Sequence, residues 1–360
     1  MTSRRRFLAG LAALSVAPTQ GWAAVGAPDY LAAALFPDGS HRLVGLLADG
    51  SILFSLTLPA RGHAAAAHPH RPQAVAFARR PGTFAVIIDC TTGAQTAALN
   101  APYGRHFYGH GAFSQDGTRL FTTENDYEAG EGVIGVWETA QYTRLGEFPS
   151  GGTGPHDIRL MADGQTLVIA NGGIETHPDT GRTKLNLPVM QPNLTYLGLD
   201  GSMLEQAELP PGLRQNSIRH LAVRPDGLIG FATQWQGQTT EHPPLLGLHR
   251  PGDEIRLLAA PNAYQSRLQG YAGSIAFSGD GASIAITCPR GNALHQFRVE
   301  DGQLIGVFEL DDVCGLGSSA DGLVYTTGTG AVGTLGTTVK TTARQHCQWD
   351  NHLIPVGRPA

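Results

Sequence analysis

Residues 105–117 read RHFYGHGAFSQDG, in which a histidine-bearing opening, a short strand of small and apolar residues and an Asp-Gly turn follow one another. The phrase returns as GTGPHDIRLMADG (152–164), NSIRHLAVRPDG (216–227), GYAGSIAFSGDG (270–281) and DVCGLGSSADG (312–322). A shorter form, RGHAAAAHP, occupies 61–69, and WDNHLIPV occupies 349–356. Strand-and-turn units recurring at roughly 40 to 60 residues are the sequence pattern of a β-propeller, whose blades are four-stranded antiparallel sheets set around a channel. The expected fold is all-β: a seven-bladed β-propeller with its ring closed by a C-terminal strand.

The remaining strands fall into place around that phrase. Tyr30–Phe36, Arg42–Leu47 and Ile52–Leu58 are bounded by Asp38-Gly39 and Asp49-Gly50, and read as the outer three strands of a blade that lacks its inner one. Asn351–Val356 is expected to supply it and so remove the exposed sheet edges. The other blades are expected at His63–Pro102, His106–Pro149, Gly154–Pro210, Ser217–Pro261, Tyr271–Leu310 and Val313–Gln348. In each blade the inner strand starts on the face that also carries the connection between the second and third strands. Three of those connections are long: Asn125–Gly132, Gly172–Asn193 (with an insertion at Ile174–Asn193) and Gln236–Pro244. Long loops on a rigid scaffold mark the functional face.

Composition agrees with a turn-rich β protein. Glycine occurs 47 times and proline 23 times in 360 residues, charged residues make up 15%, and no convincing helical stretch follows the N-terminal segment. A net charge of −5 without a basic block argues against a nucleic-acid partner. Ser3-Arg4-Arg5-Arg6-Phe7-Leu8 is a twin-arginine phrase followed by an apolar run to Ala17, too short for a permanent membrane helix. Residues 1–23 are therefore expected to be a signal peptide cleaved after Ala23, leaving 24–360 as one propeller domain in the periplasm, with no membrane span after cleavage and as a monomer. Cys90 and Cys288 lie in apolar runs and read as buried free thiols. Cys314 and Cys347 fall in the last blade, where a bridge between them is an open alternative in an oxidising compartment.

The starts of the inner strands place His63, His110, His156, His220, Cys314 and His352 at the channel mouth, while blade six offers Ala272-Gly273. Imidazole suits iron, copper or zinc, and thiolate is a soft ligand. Three readings compete: a metal site, polar groups that hydrogen-bond loop backbone and hold channel water, or catalysis or contact with an organic ligand. There is also a mismatch in register. His110 and His220 precede the turn aspartate by six residues, His156 and Cys314 by seven. Because side chains alternate along a strand, a β-bulge is needed if all are to face the axis. At the rim, Glu124 is a further candidate metal ligand, beside Asp126. Asn125, Asn171, Gln234 and Arg290 are candidate contacts to a bound cofactor, Arg290 through an anionic group. In the blade-four insertion, His177, Asp179, Arg182 and Lys184 read as part of an ordered lid. No nucleophile elbow, phosphate loop, haem-attachment cysteine pair or HExxH motif occurs, which argues against a conventional hydrolase or nicotinamide dehydrogenase.

The runs RHFYGHGAFSQDG, TENDY from Thr123, GVIGVWE from Gly132, EFPSGGTGPH from Glu147, ANGGIETHPDTGR from Ala170, SIRHLAV from Ser217 and WDNHL from Trp349 resemble one bacterial family. It is a twin-arginine-exported β-propeller family of unknown function, with members often encoded beside imelysin-type and di-haem proteins linked to iron uptake. The resemblance covers nearly all of the mature chain and implies the fold, the compartment and, by association, periplasmic iron-uptake proteins of imelysin type as partners. It carries no catalytic residues over. The functional expectation is a metal-binding (iron or copper) or accessory protein in iron acquisition. A metal-free interaction scaffold and a cofactor-dependent enzyme with its site at the channel mouth are the alternatives.

Overall fold

Seven antiparallel sheets stand in a ring in the computed structural model, which describes residues 21–79, 83–181, 183–336 and 338–356. The expected seven-bladed propeller is the observed fold. Six inner strands are Gly62–Ala67, Arg105–Phe113, Pro155–Leu160, Asn216–Val223, Ser274–Phe277 and Val313–Ser319, and each begins a sheet whose strands follow in chain order. The Asp-Gly turns that end five of these strands, all but Gly62–Ala67, explain the repetition chemically. In the first of them Asp116 accepts hydrogen bonds from the Thr118 amide (3.0 Å) and the Ser114 hydroxyl (2.6 Å), and Asp163 and Asp280 do the same for the residues that follow them. Gly117 closes its turn at φ 71°, a conformation that a side chain disfavours.

The closing blade differs in detail from expectation. Its inner strand is split into Gln348–Trp349, paired with Leu35 and Ala34, and Ile354–Pro355, paired with Leu31 and Tyr30. Residues 350–353 leave the ladder between them. The Asp350 amide still donates to the Ala33 carbonyl at 2.9 Å while its carboxylate accepts hydrogen bonds from Arg61 (2.9 Å) and Arg79 (3.0 Å), and His352 lies inside the break. Helix is minor: the described residues hold one four-residue α-helix, Asn262–Gln265, and short 3-10 turns, and no helix among them is long and apolar enough to cross a membrane.

Apolar burial is distributed around the ring. The buried residues form seven clusters, one between each pair of neighbouring blades, such as Phe77 with Phe107 and Trp137, or Phe121 and Ile134 with Ile158 and Ile169. Trp349 and Leu353 pack between the last and first blades, and Ile354 and Val356 between the first and second. All four cysteines are buried and free, so Cys314 and Cys347 are not bridged. The twin-arginine phrase and Arg182 lie outside the described residues. Trp22 lies within them, buried between the first two blades with its indole N–H donating to the His68 carbonyl at 2.8 Å. Cleavage after Ala23 would remove that ring from the core.

Candidate metal centre in the channel

Backbone irregularities at the strand starts turn the histidines toward the axis. The ladder shifts register between Gly62 and Ala65, Phe107 and Gly111, Pro155 and Asp157, and Ile218 and His220. Each shift brackets or adjoins one of His63, His110, His156 and His220; one extra residue bulges out in three of the strands and two in the blade-three strand, and the mismatch in spacing is absorbed. Gly109, at φ 106°, makes the tightest of these bends; a Cβ there would stand 2.6 Å from Cδ2 of His63.

The result is a layer of five imidazoles across the channel. Ring centroids are 5.0 Å apart for His63 and His110, 4.9 Å for His63 and His352, 5.0 Å for His110 and His156, and 4.9 Å both for His156 and His220 and for His220 and His352. Ligating nitrogens of His63, His110 and His352 lie within 4.8 Å of one another, as do those of His110, His156 and His220. Nε2 of His63 and Nε2 of His110 share a hydrogen bond at 3.3 Å. That is the separation of two ligands on a tetrahedral ion held at about 2.0–2.1 Å. Nδ1 of His63, His156 and His220 and Nε2 of His352 are buried with no hydrogen-bond partner among the described residues. Loop backbone therefore does not satisfy these four nitrogens.

Asp157, which sequence reasoning did not single out, orients the central ring. Its Oδ1 lies 3.1 Å from His110 Nδ1 and accepts the Ile158 amide at 2.9 Å, while Oδ2 accepts the Leu221 amide at 3.0 Å. With Nδ1 donating to the carboxylate, His110 presents the lone pair of Nε2 to the layer. Burial opposes the charge on Asp157, but Arg159, His110 and His220 outweigh it and hold its carboxyl far below the usual range. Burial, and then like-charge neighbours, hold His63, His156, His220 and His352 neutral, well below the ordinary imidazole value. The signal for Asp157 was its adjacency to His156 at a position where a bulge was already required.

The other candidates separate from this layer. Cys314 is buried on a neighbouring strand, its thiol donating to the Trp349 carbonyl at 3.4 Å; burial pushes it up to about 12, so it is not a thiolate and does not join the imidazoles. Glu124 points away from the axis into the blade, where both its oxygens accept from Arg144 at 2.9 Å. Asn125 anchors the blade-four insertion by donating to the Thr176 carbonyl at 3.1 Å. Asn171 is buried in a network with Ser150, Asn193 and Thr195. These four are structural. Gln234 and Arg290 do reach the open space above the imidazoles, a cavity of about 310 Å³ whose floor includes His63, His156 and His220. Lys184 of the insertion lines it too, as do Arg79 and Arg219, two cations the sequence reading had not placed there. Toward the other face, inner-strand residues such as Phe113, Met161 and Ile354 line a second, largely apolar recess.

Comparisons with known proteins agree with the architecture. Hydrazine synthase of Kuenenia stuttgartiensis superimposes with a TM-score of 0.59 at 13% sequence identity, over 88% of this chain and 96% of that one. At that identity the likeness concerns the fold alone. No curated protein matches the sequence. The profile of a family described as "Protein of unknown function (DUF1513)" matches residues 56–356.

Proposed function

The chain belongs to the DUF1513 family, and from that premise we propose that its propeller is a metal-binding protein that holds iron or copper on the imidazole layer of the channel. The reading extends to a periplasmic accessory role in iron acquisition, beside proteins of imelysin type, on the strength of the twin-arginine phrase and the family resemblance. One observation carries it: nitrogens of five histidines, three of them buried, converge in two groups of three that share His110, and four of the rings keep a nitrogen without a hydrogen-bond partner among the described residues. A buried polar atom left unpaired costs about 1–3 kcal/mol. Four such atoms in one layer of rings are a costly arrangement for the protein alone, and a cation held by either group of three histidines would relieve part of that cost. Imidazole ligands select borderline transition ions over calcium or magnesium. His110, oriented by Asp157, would be the anchoring ligand, with His63 and His352 on one side and His156 and His220 on the other. The layer itself offers imidazoles and one carboxylate, Asp157, a donor set suited to binding and handing on a metal.

Calorimetric titration of Cu(II), and of Fe(II) under anaerobic conditions, into metal-stripped wild type and the H110A/H156A variant tests this reading. Binding in wild type that weakens at least a hundredfold in the variant is expected, with nitrogen hyperfine structure in the Cu(II) electron paramagnetic resonance spectrum of wild type. Equal affinity in both would place the metal elsewhere. Absence of binding in wild type would overturn the metal reading and leave the interaction scaffold.

A further inference from the structure

The cavity above the imidazole layer carries a charge opposite to that of the whole protein. The chain has a net charge of −5, yet four cationic side chains, Arg79, Lys184, Arg219 and Arg290, line this space, and no carboxylate is among its described lining residues. Arg79 is partly neutralised, since it shares Asp350 with Arg61. Lys184 and Arg290 make neutral contacts instead: the Lys184 ammonium donates to Gln236, and the Arg290 guanidinium lies 4.4 Å over the Tyr271 ring. Burial lowers the Lys184 pKa, and Arg219 and then Arg290 lower it further, so these cations repel one another across the cavity. Lys184 and Arg290 are exposed, so water moderates that repulsion, and an anion placed between them would meet only positive charge on the cavity wall.

From this we infer that the cavity is a binding site for a small organic polyanion, with carboxylate or phosphate groups held by Lys184 and Arg290 and with Arg219 in the wall beside them. The guanidinium fork matches both oxyanions. A volume of about 310 Å³ is at the small end of the range of roughly 300–1,000 Å³ typical of ligand pockets, which suits a metabolite and excludes a peptide or nucleic acid strand. The blade-four insertion contributes Ile174, Thr176 and Lys184 to the wall and the blade-five insertion contributes Gln236, so the two long loops build the site. That accounts for why the elaboration is concentrated on this face. His63, His156 and His220 form the floor, and a ligand seated here contacts the imidazole layer directly. The inference does not require a metal, because the cations alone supply the attraction.

The test uses the mature protein stripped of metal, titrated calorimetrically with citrate, succinate and glycerol 3-phosphate, and with glycerol as the neutral control. At least one of the three anions is expected to bind, more weakly as salt is raised, and glycerol is not. Binding of citrate or succinate but not the phosphate assigns a polycarboxylate; the reverse assigns a phosphate ester. The K184Q/R290Q variant should lose at least tenfold in affinity while titrating Cu(II) as wild type does, and K184R/R290K should regain most of the anion affinity. Failure of wild type to bind any of the three anions, or equal affinity in the glutamine variant, overturns the inference. A protein that binds the anion and no metal would keep this inference and overturn the metal reading; one that binds metal alone would do the opposite.

Discussion

Glu124 and His110 are both fully buried polar side chains on one blade, and their neighbours give them different tasks. Glu124 is held by two hydrogen bonds from Arg144 and one from Thr122, which occupy both of its oxygens and compensate its charge inside the blade. Removing one partner of a buried ion pair leaves an uncompensated charge, which costs about 3–5 kcal/mol. Arg144→Ala should therefore lower the unfolding free energy by about that amount in a denaturant titration while leaving metal affinity in the surviving folded protein unchanged. A loss of metal affinity with intact stability would instead return Glu124 to the site. The sequence identified the strand end that carries Glu124, Asn125 and Asp126, but not which way each residue faces. In consecutive strand positions one step reverses the direction of the side chain, and only the partner on the outer strand, Arg144, decided it.

At the scale of the element, the inner strands do their work through their irregularities. A regular strand would send His156 and His110 to opposite sides, given their different distances from the turn aspartate; the bulges at Pro155/Asp157 and Phe107/Gly111 reconcile them. Sequence spacing exposed the conflict and named the device that could resolve it, but not the residue that bends. That residue in blade three is Gly109, whose φ of 106° and close approach to His63 leave no room for a side chain. Gly109→Ala is expected to cost about 1–3 kcal/mol in strain and, because the methyl group displaces the His63 ring, to weaken Cu(II) binding in the same titration. Unchanged binding would remove His63 from the ligand set. The insertions behave as sequence suggested in place but not in purpose: their hydrogen bonds, such as Asn186 to the Gly173 carbonyl at 2.9 Å, fix a wall around the cavity.

The molecule as a whole is a ring of seven interfaces, which is why its strands and turns were legible from a recurring phrase: each unit meets the same demand from the same neighbours. The cavity's charge was not legible, because Arg79, Lys184, Arg219 and Arg290 come from different blades and share no motif. Burial around the ring also sets how the protein responds to acid. Burial, aided by Arg71, lowers His68 to about 4, and burial aided by Arg267 does the same to His295; four channel histidines shift in the same direction. Below the ordinary imidazole pKa of about 6.5 the unfolded chain binds more protons than the folded one, so stability is full above that value and falls as pH drops toward 4. Metal-free protein should show a melting temperature that declines steadily from pH 7 to pH 4.5, and a flat profile between pH 7 and pH 5 would contradict these shifts. The split closing strand has a further consequence, one of timing. His63, His110, His156 and His220 emerge from the ribosome in order, while His352 arrives 289 positions after the first of them, on the segment that closes the ring. A chain that has not yet reached His352 cannot present all five imidazoles, so the layer is complete only once the ring has closed.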